Sequence, residues 1–208
     1  MKKAFITSLE EKVNPRHSAI LVVDVQNIFC HKKSAVAKKG IDLSMPQKVI
    51  PNISSFIDRA REKSVKIIFI QQDINAFSDS QVSKEMMYRA GWKGIKHGKE
   101  LKWSEELCIK PEAQDLVLRK KKYSAFFGTR LDSILKSKKI KTLIMNGVAT
   151  NVCVDTTARD GFMRNYYIVL PEDCVASYSK TLHKAALENM NTNFAYVTDS
   201  KELLRIWE

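Results

Sequence analysis

The stretch KTLIMNGVATNVCVDTTARDGF, residues 141–162, changes character across a single glycine. KTLIMNG is an apolar run of strand length, whereas NVCVDTTARDGF has the spacing of an amphipathic helix. Gly147 to Asn151 make the turn between them. A strand that feeds directly into a helix is half of a parallel β-α-β unit, and it predicts what lies on either side.

Comparable apolar runs recur as AILVVDV (19–25), VKIIFI (65–70), DLVLRK (115–120), YYIVLP (166–171) and FAYV (194–197), which with KTLIMNG gives six buried strands. Helix-period segments lie between most of them: QKVIPNISSFIDRAREKS, TRLDSILKSKK and SKTLHKAALENMNTN. A last helix, KELLRIWE, follows the capping types Thr198, Asp199 and Ser200 and carries Glu202 in its first turn. The alternation predicts an α/β fold, a three-layer α/β/α sandwich on a six-stranded, mostly parallel sheet, doubly wound in the Rossmann-like manner. One span interrupts the pattern: from about Asp73 to Pro111 the chain holds glycines, Trp92, Trp103 and only one plausible short helix. Connections of that length are commonly binding loops or lids.

With 208 residues, 44% hydrophobic and 28% charged, the chain has the balance of a single soluble domain over 1–208, with a core that needs no metal or disulfide. Cys30, Cys108, Cys153 and Cys174 show no C-x-x-C pair and no zinc spacing, and read as reduced thiols of a cytoplasmic protein. MKKAFITSLEEKV carries acids where a signal peptide needs an apolar core, and no run reaches the length of a membrane span. The net charge of +12 is scattered over amphipathic segments without a helix-turn-helix pattern or aromatics interleaved with arginines. It points to solubility, or to attraction of a small anion, ahead of nucleic-acid binding.

In open parallel sheets ligands bind beyond the carboxyl ends of the strands, so polar residues ending each run are the first candidates. Asp24 ends the first run, either as a turn cap or as a catalytic acid. Lys120, Lys121 and Lys122 follow the third run, and such a triplet is ordinarily a solvated strand end. Cys153 falls in the first turn after the fourth run, where backbone N–H groups and the helix dipole favour a thiolate or hold an oxyanion; the alternative is a small packed cysteine.

DVQNIF at Asp24, KKKYSAFFGT after Lys120 and GVATNVCVDTTARDGF at Cys153 together resemble the isochorismatase-like cysteine hydrolases, the superfamily of nicotinamidases, N-carbamoylsarcosine amidases and ureidoacrylate amidohydrolases. The resemblance implies a catalytic triad of Asp24, Lys120 and Cys153, and it alone selects Lys120, three residues before Tyr123. It implies a cis peptide from Val148 to Ala149 and an oxyanion hole made by the N–H groups of Ala149 and Cys153. It further implies cleavage of a C–N amide bond of a small ureido or carbamoyl compound through a thioester, with release of ammonia and no cofactor. A dimer or tetramer is implied as well. Phe29 and Tyr123 flank triad motifs and are candidate substrate contacts, or else core packing. No metal is expected, because QQDINAF places Asn75 where nicotinamidases carry a ligand histidine, and His17, His31, His97 and His183 lack ligand spacing. The likeness to ureidoacrylate enzymes weakens at Gln72, Asp73 and Ile74, where those enzymes have Asn-Gly-Trp; Trp92 or Trp103 is a possible replacement for the lost aromatic wall, or a packing residue.

Overall fold

The computed structural model describes residues 5–91 and 98–208. Its sheet has strands β1 (Ser18–Val23), β2 (Lys66–Gln72), β3 (Leu116–Lys120), β4 (Thr142–Val148), β5 (Tyr167–Pro171), β6 (Val175–Ala176) and β7 (Tyr196–Thr198). The order is β3-β2-β1-β4-β5-β7, all pairs are parallel, and β6 pairs beside the end of β4. The sheet therefore has seven strands and not the six read from the sequence. The extra one, Val175–Ala176, is two residues long and too short to carry a periodic signal.

Alternation along each strand divides the core into two layers. Ile20, Val22, Ile67, Phe69, Ile144 and Val169 point to one face, covered by α3 (Ser44–Glu62) through Val49, Ile53, Phe56 and Ile57. The last helix, α10 (Ser200–Trp207), joins that layer: Trp207 stacks on Phe56 at 5.5 Å and donates its indole N–H to the Val13 carbonyl at 2.8 Å. Ala19, Leu21, Ile68, Ile70, Leu143, Met145 and Ile168 point the other way. Against them lie α7 (Leu131–Ser137), α8 (Asp155–Met163) and α9 (Lys180–Asn193). Ala158 and Gly161 let α8 lie close, since a Cβ on Gly161 would stand 3.0 Å from the Leu143 side chain.

The span read as one long connection with a single short helix holds three among the described residues: α4 (Ile74–Ser78), α5 (Gln81–Arg89) and α6 (Lys99–Glu105). The first two are started by ordinary caps, Asp73 accepting from the Ala76 N–H at 2.9 Å and Ser80 from the Ser83 N–H at 3.2 Å. Helices of one or two turns give little periodicity to read, and α5 leaves Val82 and Tyr88 exposed. Trp92 and His97 lie outside the described residues.

The parallel register brings four strand ends level. Val23 pairs with both Ile70 and Gly147, and Gln72 pairs with Lys120. Gly147 is required at this level: its φ is 116°, and a Cβ there would lie 2.1 Å from the Val23 carbonyl oxygen. Gly147→Ala is expected to destabilise the protein by at least about 3 kcal/mol, from backbone strain and overpacking together. Gly128, with φ 65° and no neighbour within 4 Å of a Cβ, serves as the control at about 1 kcal/mol. Urea denaturation of both variants checks this, and equal midpoints would contradict the close approach of β4 to β1.

Candidate active site

The chain leaves β1 at Asp24 in the left-handed region, φ 52°, which aspartate tolerates better than most residues. The Asp24 N–H donates to the Ile70 carbonyl at 2.9 Å, so the backbone turns while still tied to β2. Gln26 then acts as a short substitute for a strand: its Oε1 accepts from the Gln72 N–H at 2.8 Å, and its Nε2 donates to the carbonyls of Gln72 (3.1 Å) and Glu105 (3.0 Å). The two bonds to the Gln72 backbone are buried, which keeps the strand ends in register.

Lys120 is the last residue of β3 and is fully buried. Its ammonium lies 2.8 Å from Asp24 Oδ2 and donates to Gln72 Oε1 (2.8 Å) and the Lys122 carbonyl (3.0 Å). Two of its three N–H donors are thus taken by neutral acceptors while its charge faces Asp24, whose oxygens have no hydrogen-bond partner among the described residues beyond that ion pair. The other two lysines of the triplet do not share this site. Lys121 is exposed, and Lys122 Nζ bonds Ser80 Oγ at 2.8 Å beside the Phe77 ring.

Cys153 comes from the strand-to-helix turn of β4. The peptide Val148–Ala149 is cis, and Thr150–Val154 form one turn of π-helix ahead of α8, in place of the plain α-helical start read from the sequence. Val152 and Val154 both donate to the Ala149 carbonyl, at 3.0 and 3.2 Å. Two side-chain bonds anchor the turn from outside, Thr150 Oγ1 to His183 Nδ1 at 2.9 Å and Ser177 Oγ to Asn151 Oδ1.

The three groups act on one another strongly. Burial raises the Asp24 carboxyl above the ordinary carboxylate range, and the Lys120 charge pulls it back only in part. Burial alone would lower the Lys120 ammonium, but the charges of Asp24 and Cys153 outweigh it and the group is held above its usual value. The Cys153 thiol is pushed up, first by burial and then by the Asp24 charge, against the opposing pull of Lys120. The resting arrangement is thus an ion pair beside a neutral thiol. The thiolate that a helix start would favour is not the resting species here, because burial and the neighbouring carboxylate outweigh the dipole.

Asp24 and Cys153 open onto a cavity of about 300 Å³. Phe29 and Tyr123 line it, as do Ala149 at the cis peptide and Val152. Trp103 does not: it packs edge-on against His31 with ring centroids 5.1 Å apart, and its carbonyl accepts from the Asn27 amide. The sequence reading missed Gln72 as the partner of Lys120, although it ends β2 and obeys the strand-end rule that found Asp24. It also missed Met86, Met87 and Tyr178 in the cavity wall, for which nothing in the sequence is a signal. Among the described residues no three His, Cys, Asp or Glu side chains converge as metal ligands. None of the described helices is long and apolar enough to cross a membrane.

Comparison with known proteins agrees in both sequence and fold. Residues 18–202 match the isochorismatase domain family. The ureidoacrylate amidohydrolase RutB of Enterobacter sp. (strain 638) is 38% identical over 200 residues, covering 88% of this chain and 86% of that protein. A cysteine hydrolase from Pseudomonas syringae pv. phaseolicola 1448A superposes with a TM-score of 0.78 at 24% identity, covering 100% of this chain and 98% of that one. The N-carbamoylsarcosine amidase of Thermoplasma acidophilum gives a TM-score of 0.68 at 27% identity, with 88% and 96% covered.

The buried pair makes a stability prediction that needs no substrate. Asp24→Asn leaves the Lys120 charge without its counter-ion and is expected to cost about 3 kcal/mol, whereas adding Lys120→Met to it restores a large part of that loss. Denaturant midpoints of the single and double variants measure the difference, and an unchanged midpoint in Asp24→Asn would contradict a buried ion pair.

Proposed function

The chain belongs to the isochorismatase family and is a hydrolase of non-peptide C–N bonds, and from that premise we propose that Cys153 is the nucleophile, Asp24 the proton carrier and Lys120 the fixed cation of a cysteine-dependent amidohydrolase. Its substrate in this reading is a small ureido or carbamoyl compound, as the name of the ureidoacrylate relatives suggests. The observation that carries the reading is the meeting of a buried Asp24–Lys120 ion pair and the Cys153 thiol beside one cavity. The whole span 1–208 is taken as one hydrolase domain, cytoplasmic and assembled as a dimer or tetramer.

The chemistry follows from the protonation states. A neutral thiol is a poor nucleophile, so its proton must leave as it attacks. Asp24 is ionised against Lys120, and because burial raises it above the ordinary carboxylate range it is a stronger base than a solvated carboxylate. The sulfur then bonds to the carbonyl carbon, and the carbonyl oxygen gathers negative charge. The N–H groups of Ala149 and Cys153 receive that oxygen at the strand-to-helix turn. Collapse of the tetrahedral species breaks the C–N bond, and the proton held by Asp24 goes to the departing nitrogen, which leaves as ammonia. Asp24, ionised again, takes a proton from water, whose oxygen displaces the sulfur from the thioester and frees the carbamate or acid; Asp24 then returns that proton to the expelled sulfur, which restores the neutral thiol. Lys120 stays charged throughout and keeps the Asp24 carboxylate from drawing a proton out of solvent.

Cys153→Ala is expected to lower kcat for ammonia release by at least about 10³-fold while leaving the denaturation midpoint close to wild type. Retained turnover would remove the nucleophile assignment. The pH profile offers a second check. Asp24 serves as base only when ionised, so kcat/KM falls as pH drops through its folded value. Because burial raises that value, the acid limb is expected above the ordinary carboxylate range; a limb at about pH 4 or lower would contradict Asp24 as the base. Light scattering of the purified protein tests the assembly, with a dimer or tetramer mass expected and a monomer mass counting against it.

A further inference from the structure

The cavity beside Cys153 is walled by hydrocarbon. Ile28 and Phe29 approach from α2 (Asn27–Cys30), Ile74 and Phe77 from α4, and Met86 and Met87 from α5. Tyr123 presents its ring, 5.0 Å from that of Phe77, and directs its hydroxyl to the Met86 sulfur at 3.2 Å. Two polar side chains at the floor, Gln72 and Lys120, are already committed, and Asp24 beside them is a carboxylate that presents acceptors only. Gln72 Nε2 donates to the carbonyls of Asp73 and Lys120, its Oε1 accepts from Lys120, and the Lys120 ammonium donates also to the Lys122 carbonyl while its charge faces Asp24.

No arginine, lysine or histidine lines the cavity among the described residues. Lys122, 5.8 Å from the centre of the Phe77 ring, is bonded to Ser80, and Arg89 is exposed beside Glu85. An anion placed against these walls loses its water and, among the described residues, meets the Asp24 carboxylate as the charged side chain of the lining. A neutral apolar group loses nothing comparable and fills the space. Resting on the amidohydrolase reading above, we infer that the substituent carried by the scissile ureido or carbamoyl group is uncharged and apolar, an aryl or branched alkyl group, and that a carboxylate-bearing substituent such as that of ureidoacrylate is disfavoured. The volume of about 300 Å³ lies at the lower end of small-molecule sites and suits a group of that size.

The test is ammonia release from two matched pairs, 3-methylbutylurea beside 3-ureidopropionate and phenylurea beside 4-ureidobenzoate, with wild type and Cys153→Ala. The members of the first pair are close in shape and differ mainly in charge, whereas those of the second differ by the whole ring carboxylate. The expected result is Cys153-dependent turnover with kcat/KM at least about 100-fold higher for the neutral member of each pair. A second variant reads the same cause from the protein side: Met87→Arg, which supplies a cation to the wall, is expected to raise the ratio of carboxylated to neutral turnover at least tenfold. Cys153-dependent turnover that favours the carboxylates overturns this inference and leaves the amidohydrolase reading standing. Absence of ammonia from all four ureas overturns the reading for ureas, and the inference falls with it.

Discussion

A carboxylate and an ammonium 2.8 Å apart, both withdrawn from water, set the terms for the active end of this sheet. Such a pair depends on the hydrogen bonds that hold its members in place, and here those on the Lys120 side tie together the ends of neighbouring strands. Gln72 accepts from Lys120 and is itself gripped by Gln26, two residues past Asp24. A slip of one residue in β2 or β3 would turn Gln72 or Lys120 to the opposite face and leave the Asp24 charge buried alone. The ion pair and the parallel register thus depend on each other.

The same burial governs the chemistry proposed for the site. Taking the three groups out of water raises the carboxyl and the thiol together, so neither ionises freely. Lys120 offsets part of that effect for both, chiefly by its charge and without giving up its own proton. A thiolate generated only when a substrate is present is less exposed to oxidation than a standing one, because reactivity toward oxidants follows thiolate character. Cys153 itself is 8% exposed, with the cavity as its approach.

The cavity is built from parts of unequal regularity. Its floor belongs to the sheet, where Asp24, Gln72 and Lys120 are held by ladder bonds and side-chain bonds at once. Its far wall is made by α4 and α5, short helices that rest on few contacts and bring Phe77, Met86 and Met87 over the floor. Reaction chemistry and substrate choice are therefore carried by different pieces of the chain. Methionines suit such a wall, since an unbranched side chain fits irregular shapes without demanding a polar partner.

Six of the seven strands, the helices on both faces and the motifs at Asp24, Lys120 and Cys153 were legible in the sequence, because strand and helix periods repeat over enough residues to be read locally. The family motifs added what periodicity is silent about, chiefly the choice of Lys120 from its triplet. What sequence did not yield was of two kinds. β6, α4, α5 and α6 are too short to carry a period, and the walls of the cavity come from Ile28, Phe77, Met87 and Tyr178, which are distant in the chain and ordinary in type. Local order is written in spacing along the chain, and so the sequence alone determined the α/β architecture, while the candidate triad came from the sequence through its family motifs. The protonation of Cys153, the role of Gln72 and the apolar character of the cavity depend on which groups are buried together, and only the tertiary structure decided those.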